Sequence, residues 1–371
     1  LQELEQLIDS KDIKLVVAII SSWVPAYNKL ALDNDRRVRE LSQVCLGKLI
    51  RRVQKQFAPH LKQILGVWLM VQCDPHPPCA SVAFKVFQEL FTTSAKQSDV
   101  ADFCRVEVFN FLEDIMFKLT IQSIIEMRIC EEEEVESRFI RLLSSSIDAL
   151  TKFIEIVNDK HREEIMERIR NNLFSNSKFW KFPKSKIPQV RKAYYDLIAT
   201  LLKKYGTPLL NPKSKEQITI SVLCSIDEND ITVIPSVWNA LIVLLCGIDD
   251  VWSSINMSKA FIPKLWNTID KCGHGCASVT HPNIVLILEK LPANVKFQKN
   301  FCASLLEKLV CSLINEKMLM SWREYDALVA SFVECCKFYI FNIVEKRDKA
   351  AAADDDDGGN NMISSINNNV I

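Results

Sequence analysis

Four side chains able to bind a soft metal crowd into the stretch KCGHGCASVTH: Cys272, His274, Cys276 and His281. Thiolate and imidazole are usual zinc ligands, but a structural zinc site draws its second ligand pair from a dozen or so residues away, so that four groups can surround the ion. Here one turn would have to supply all four, and a cysteine-bearing turn between helices is the better reading. The segment CDPHPPC offers Cys73, His76 and Cys79, yet its prolines stiffen it and no fourth ligand is near in sequence. Cys335 and Cys336 are adjacent in an apolar helical stretch, where at most one can face the core. No metal or other cofactor is expected in this chain.

Catalytic chemistry finds little support. No nucleophile elbow or comparable signature singles out a Ser or Cys. The many carboxylates sit in turns, where capping of helix N-termini explains them without acid–base work. Basic side chains offer more. The stretch NSKFWKFPKSK interleaves Phe179, Trp180 and Phe182 with Lys178, Lys181, Lys184 and Lys186 in what should be an inter-helix loop. Aromatics in a basic loop can dock a phosphate backbone or an acidic partner. They can equally plug the hollow between successive helical repeats while the lysines stay in water. The plug is preferred, and both can hold. Arg36, Arg37 and Arg39 form a second basic edge on a turn of the same kind.

The elements that carry these turns are helical. In LALDNDRRVRELSQVCLGKLIRRV, Val38, Leu41, Cys45, Leu49 and Val53 recur at steps of three or four and line one helix face. Asp33, Asn34 and Asp35 supply oxygens for the free N–H groups of its first turn. The arrangement returns in CDPHPPCASVAFKVFQELF, in FWKFPKSKIPQVRKAYYDLIATLLKKY, in SIDENDITVIPSVWNALIVLL and in GHGCASVTHPNIVLILEKLP. Helices should therefore start near residues 37, 81, 189, 236 and 282, about 45 residues apart with one double gap. First helices are expected over 11–28, 58–72, 100–128, 137–158, 160–174, 297–316 and 321–346. A period of roughly 40–47 residues with two helices per unit is that of HEAT repeats, and the Val-Arg pairs in RVRE and QVRK fit it. The fold expected is all-α, a HEAT/ARM-like helical-repeat solenoid over residues 1–347, stacked right-handedly with one concave surface.

Composition agrees. Only 8 of 371 residues are glycine, which disfavours hairpins and phosphate-binding loops that need positive φ. Lys plus Arg and Asp plus Glu both number 46, so the broad basic surface of a general nucleic-acid binder is not expected, although local patches remain open. The 13 cysteines are odd in number and scattered through apolar stripes, which fits reduced thiols in the cytosol or nucleus. The longest apolar run, around IPSVWNALIVLLCGI, is interrupted and falls short of the ~18 residues of a membrane span, so no membrane partner is expected. CEEEEVESR (130–138) reads as a solvated loop or a helix start. From Asp348 the chain is low-complexity and polar, so 348–371 is expected to be a disordered tail or linker.

The segments LDNDRRVRE, QFAPHLKQILGVWLMVQCD, SKFWKFPKSKIPQVRKAYYDLI and SIDENDITVIPSVWNAL together resemble the N-terminal domain of the listerin family, over roughly residues 1 to 300. The resemblance implies a RING-type E3 ubiquitin ligase of ribosome-associated quality control. In that family the N-terminal domain engages stalled 60S ribosomal subunits carrying peptidyl-tRNA, together with the nuclear export mediator factor. A C-terminal RING, itself zinc-binding, recruits the ubiquitin-conjugating enzyme. The interleaved cysteine and histidine pairs of a RING do not occur in these residues. The chain is therefore expected to be a fragment or truncated product that holds the ribosome-facing module in the cytosol without a catalytic site of its own.

On this reading the contacts are Arg36, Arg37 and Arg39, then Lys178, Lys181, Lys184 and Lys186. An alternative is a helical-repeat adaptor or transport scaffold unrelated to ubiquitin, whose concave face would carry a Trp-Asn ladder. Trp238-Asn239 and Trp266-Asn267 hint at one. A helical metalloenzyme built on Cys272 and its neighbours is a third, weaker alternative.

Overall fold

The computed structural model describes residues 1–126, 132–315 and 321–364. Every regular element among them is helical, and no strand occurs among the described residues. The chain folds as two compact units, Leu1–Ser225 with Pro235–Ile255, and Ile226–Ile234 with Asn256–Ile371.

Helix starts follow the acidic and proline-bearing turns. Asp33 Oδ1 accepts from the N–H of Asp35 at 2.9 Å, Asp74 Oδ1 from that of His76 at 2.8 Å, and Asp230 Oδ1 from that of Thr232 at 2.9 Å. Each carboxylate thus closes a small ring with the backbone two residues on, which reverses the chain before the next helix. The helices that follow are Arg36–Val53, Pro77–Leu90 and Ile234–Gly247, and Pro188–Tyr205 and Pro212–Leu223 also open on proline. Proline costs nothing there because its missing N–H would have had no partner.

In the first unit the second helices pack side by side. Arg36–Val53 lies against Pro77–Leu90, and a Cβ on Gly47 would come within 2.9 Å of both Val86 methyls, so glycine sets how closely the two approach. Leu61–Val71 lies against Arg105–Lys118 and against the long helix Glu132–Ile156, which in turn packs on Pro188–Tyr205. The core between them is aromatic. Trp68 is fully buried, meets Phe87 edge-on at 5.3 Å and donates its indole N–H to the Ala83 carbonyl at 3.0 Å. Burying side chains of this size contributes on the order of 2–3 kcal/mol each. In the second unit Ile262–Asp270 packs on Lys299–Leu313, and that helix packs on Trp322–Ser364.

Several expected helices are shorter pieces. The 11–28 helix is Ile13–Ala18 followed by Ile20–Leu30, with Pro25 inside the latter. The 100–128 helix is Ser94–Phe103, Arg105–Lys118 and Ile121–Glu126. The last break has a local cause: Thr120 and Ser123 cap each other, Ser123 Oγ accepting from the Thr120 N–H at 3.0 Å and Thr120 Oγ1 from the Ser123 N–H at 3.1 Å. The break at Cys104 has no comparable cause in the local sequence. Of CEEEEVESR, Cys130 and Glu131 lie outside the described residues and the rest begins the helix Glu132–Ile156. Residues 127–128 and 316, assigned to helices from the sequence, also lie outside. The backbone of Trp322–Ser364 passes through the segment from Asp348 that reads as a tail, and 365–371 lie outside the described residues.

Candidate interface at the inter-helix turns

Helix Arg36–Val53 begins with two exposed arginines, Arg36 and Arg37, and one buried one. Arg39 was grouped with them as an edge contact, and the structure corrects this. Its side chain keeps 5% exposure and makes a two-pronged pair with Asp74, Nε at 2.7 Å and Nη2 at 3.1 Å. Its Nη1 donates to the carbonyls of Asp33 and Asn34 at 2.9 and 2.7 Å. Arg39 therefore ties its own turn to the next one with four of its five N–H donors, and it is buried there. The spacing that put it beside Arg36 is real, but the carboxylate that claims it lies 35 residues on.

Two arginines not singled out from the sequence join this edge. Arg138 and Arg141 lie in the first turns of Glu132–Ile156, three residues apart and so on one face. Arg138 Nη1 donates to Asn34 Oδ1 at 2.9 Å. Arg141 Nη2 reaches the carbonyls of Leu32 and Asp33 at 3.2 and 3.0 Å, and its Nη1 stands 3.9 Å from Asp74. Burial, followed by repulsion from Arg39, draws the Arg141 guanidinium down to about 10. An open cleft of about 790 Å³ lies between the turns, walled by Arg36, Arg39, Arg138 and Arg141 with Glu134 and Glu136 among the opposing acids. Gln189, at the start of Pro188–Tyr205, closes one side. Guanidinium groups at such a spot suit planar anions, because each presents paired N–H donors in a fixed fork.

The aromatic loop folds as the plug reading has it. Phe179 is fully buried against Phe174, Phe182 and Tyr194 at ring distances of 5.2–5.9 Å, and half-buried Trp180 donates its indole N–H to the Phe174 carbonyl at 2.9 Å. Lys178, Lys181, Lys184 and Lys186 are exposed, and Lys178 Nζ rests on the Phe117 carbonyl at 2.5 Å. The four lysines do not wall the arginine cleft, so the two basic turns are separate surfaces of one unit.

The cysteine-rich turns are held by local hydrogen bonds and packing. His76 Nδ1 lies 3.3 Å from Cys79 Sγ, which donates to the Arg36 carbonyl at 3.2 Å. Burial pushes the Cys73 and Cys79 thiols up, to about 12 and about 11, which leaves them protonated and unreactive. In the second turn Cys272 packs into a small core with Ala277 and Leu328, and His281 is buried with Nδ1 2.9 Å from Thr280 Oγ1. Cys272, Gly273, His274 and Gly275 all adopt positive φ, and a Cβ on Gly273 would stand 2.2 Å from Thr280 Oγ1. Among the described residues no three His, Cys, Asp or Glu side chains converge as a metal site would need. Cys335 is buried and Cys336 half-buried, as adjacent helix positions require. Trp238 is buried in the core, so it cannot begin a surface Trp-Asn ladder. No helix among the described residues is long and apolar enough to cross a membrane.

Comparison with known proteins adds a second line. A family profile described as "E3 ubiquitin-protein ligase listerin, N-terminal domain" matches residues 1–291. The chain is similar to the E3 ubiquitin-protein ligase listerin of Gallus gallus, 33% identical over 350 residues that cover 94% of this chain and 20% of the relative. It is similar to that of Mus musculus, 34% identical over 339 residues, covering 91% and 19%. With that of Drosophila melanogaster it shares 28% identity over 293 residues, covering 78% and 17%. The chain spans about a fifth of the length of the curated relatives it matches.

Proposed function

The chain belongs to the listerin family, as an N-terminal domain of an E3 ubiquitin-protein ligase, and on that premise we propose that it seats such a ligase on stalled 60S ribosomal subunits carrying peptidyl-tRNA. In this reading the ligase works in ribosome-associated quality control, where it ubiquitinates the stalled nascent chain. Its partners are the subunit and the nuclear export mediator factor, and the setting is the cytosol. The ubiquitin-conjugating enzyme is engaged by the RING of the full-length ligase, where zinc also resides.

The mechanism is positional. The observation that carries it is the cleft where the first turns of Arg36–Val53 and of Glu132–Ile156 bring Arg36, Arg39, Arg138 and Arg141 together. Arg39 and Arg141 donate to backbone carbonyls beside Asp74, and Arg138 donates to Asn34 Oδ1, so they hold the turns still. Arg36 and Arg37 stay exposed on that fixed base and can meet phosphate or an acidic protein surface. The overall charge balance limits indiscriminate attraction to RNA. Lys181, Lys184 and Lys186 stand exposed over their own aromatic plug, a second rigid mount for charge.

Sedimentation of the purified chain with 60S subunits, with and without the nuclear export mediator factor, tests the reading. Wild-type chain should migrate with the subunit and should be released as salt rises, with a slope of roughly one per phosphate contact. Combined Arg36→Glu, Arg37→Glu, Lys181→Glu, Lys184→Glu and Lys186→Glu should leave the chain at the top of the gradient. Wild-type chain remaining at the top in every condition overturns the recruitment reading. Unchanged migration of the charge-reversed chain overturns these turns as the contact.

A further inference from the structure

The far end of the same helices carries a different surface. Where Arg36–Val53 and Pro77–Leu90 finish, an open groove of about 820 Å³ runs between the segment Gln54–His60, the start of Leu61–Val71 and the helix Ser94–Phe103. Its walls are apolar, formed by Ile50, Leu61, Leu90, Phe91 and Phe103. Phe103 is 51% exposed, a large fraction for a ring with a core beside it. One reason it stays in place is Lys62, whose ammonium lies 4.9 Å from the ring centre and is itself held by Glu107 at 3.0 Å.

Charge at this groove is one-sided. Arg51, Lys55 and Lys96 line it against a single carboxylate, Asp99. Arg51 is paired with Glu89 outside the lining, while Lys55 and Lys96 make no ion pair among the described residues. Arg51 sits in the last turn of Arg36–Val53 and Lys55 just past it, where cations suit the negative pole of the dipole. Lys96 has no such excuse, since it lies in the first turn of Ser94–Phe103, where the dipole disfavours a cation.

Gln54 lines the groove at φ 50°, ψ −125°, a conformation that favours glycine. Holding a larger residue there costs on the order of 1–3 kcal/mol, and the conformation ends the helix Arg36–Val53 as Gly206 ends Pro188–Tyr205.

We propose that this groove docks an acidic amphipathic peptide segment of a partner protein, with two bulky apolar side chains between Phe91 and Phe103 and carboxylates reaching Lys55 and Lys96. Helical and extended segments both supply such anchors. The charge at the groove favours an acidic segment over a basic one, and aromatic anchoring supplies most of the binding energy in a groove of this kind. The inference does not rest on ribosome recruitment: it concerns the opposite ends of the helices and a peptide.

A random 16-residue peptide display library panned against the full chain tests it, with counter-selection against a Lys55→Glu, Lys96→Glu double variant and against Phe103→Ala. These side chains are exposed, so the variants should fold, and circular dichroism checks this. Expected is enrichment of clones with two bulky apolar residues flanked by Asp or Glu. Synthetic copies of those clones should lose affinity about tenfold on each variant and weaken as salt rises, while Lys213→Glu, elsewhere on the surface, changes nothing. Clones that bind wild type and both variants alike overturn the proposal, as does a consensus without acids. Self-association abolished by Phe103→Ala in sedimentation velocity overturns it in favour of a second copy of this chain. Displacement of the selected peptides by phosphatidylserine vesicles overturns it in favour of a lipid surface.

Discussion

Removing Arg39 should unfold the turn edge rather than weaken a surface contact. The side chain and its partner Asp74 are 5% and 3% exposed. Deleting one member of a buried pair costs roughly 3–5 kcal/mol, because the other charge is left without its counterion. In Arg39→Ala, Asp74 keeps the His76 N–H at 2.8 Å and a distant Arg141 at 3.9 Å, which places this part near the lower end. The Asp33 carbonyl keeps Arg141 as donor at 3.0 Å, whereas the Asn34 carbonyl loses its donor for about another 1 kcal/mol. The total is about 4 kcal/mol. Asp74→Ala should cost about as much or more, since Arg39 and Arg141 then face each other uncompensated. The double replacement Arg39→Met, Asp74→Leu should recover most of the loss, because apolar groups of similar volume need no counterion. Arg39→Lys should cost about 2 kcal/mol, since an ammonium cannot serve a bidentate carboxylate and two carbonyls at once.

Urea unfolding followed by tryptophan fluorescence gives these values, and the double-mutant cycle isolates the pair. If Arg39→Ala lies within about 1 kcal/mol of wild type and the cycle shows no coupling, the clamp is wrong. Arg39 would then return to the set of surface contacts.

Two helices of 18 residues, Arg36–Val53 and Pro188–Tyr205, end on a positive-φ residue, Gln54 in one and Gly206 in the other. Gln54→Gly should therefore stabilise by about 0.5–1 kcal/mol and Gly206→Ala should destabilise by about 1 kcal/mol; equal signs for the two in urea unfolding would refute the common backbone requirement. Burial draws His281 down to about 4. Its imidazole stays neutral in the folded chain while the unfolded chain takes up a proton below the ordinary value of about 6.5, so this contribution is full above pH 6.5 and falls away toward pH 4. Relative to His281→Gln, wild type should lose about 3 kcal/mol between pH 7 and pH 4, read as diverging urea midpoints; parallel pH curves would refute it. The comparison is needed because Asp148, raised to about 6 by burial, titrates in the same range with the opposite sign.

Much of the scaffold was legible because its signals are local. The Asp and Pro turns mark helix starts within a few residues, since capping and proline act on the nearest backbone. The Val-Cys-Leu stripe of Arg36–Val53 marked one face correctly at Cys45, Leu49 and Val53, yet Leu46 and Ile50 are buried too, because this helix is covered on more than one side. The helix expected over 100–128 is three pieces, because apolar periodicity runs on through Cys104 and Thr120, where the chain breaks. The cleft was half legible. Arg36 and Arg37 were seen, but Arg138 and Arg141 find their acceptors more than a hundred residues away, at Leu32, Asp33 and Asn34. No period in the sequence reports such a contact. The i, i+3 spacing of the two arginines after an acidic run was the one signal available. Gln54 carried none, because only the backbone angle reveals it.

The misplacement of Arg39 had a warning in the repeat itself. Val38-Arg39 and Val190-Arg191 were matched as a recurring pair, and the structure gives both arginines one task. Arg191 Nη1 donates to the Ser185 carbonyl at 2.9 Å, six residues back, as Arg39 Nη1 does to Asp33. A side chain that recurs with the turn is there for the turn. Contact residues are sought among those that do not recur, and Arg36 and Arg37 have Pro188 and Gln189 at the matching places before Arg191. Arg36 lies three residues before Arg39, on the same helix face. The pair with Asp74 therefore holds the first turn of the helix that carries Arg36, and the backbone position of Arg36 is set from the turn at Asp74.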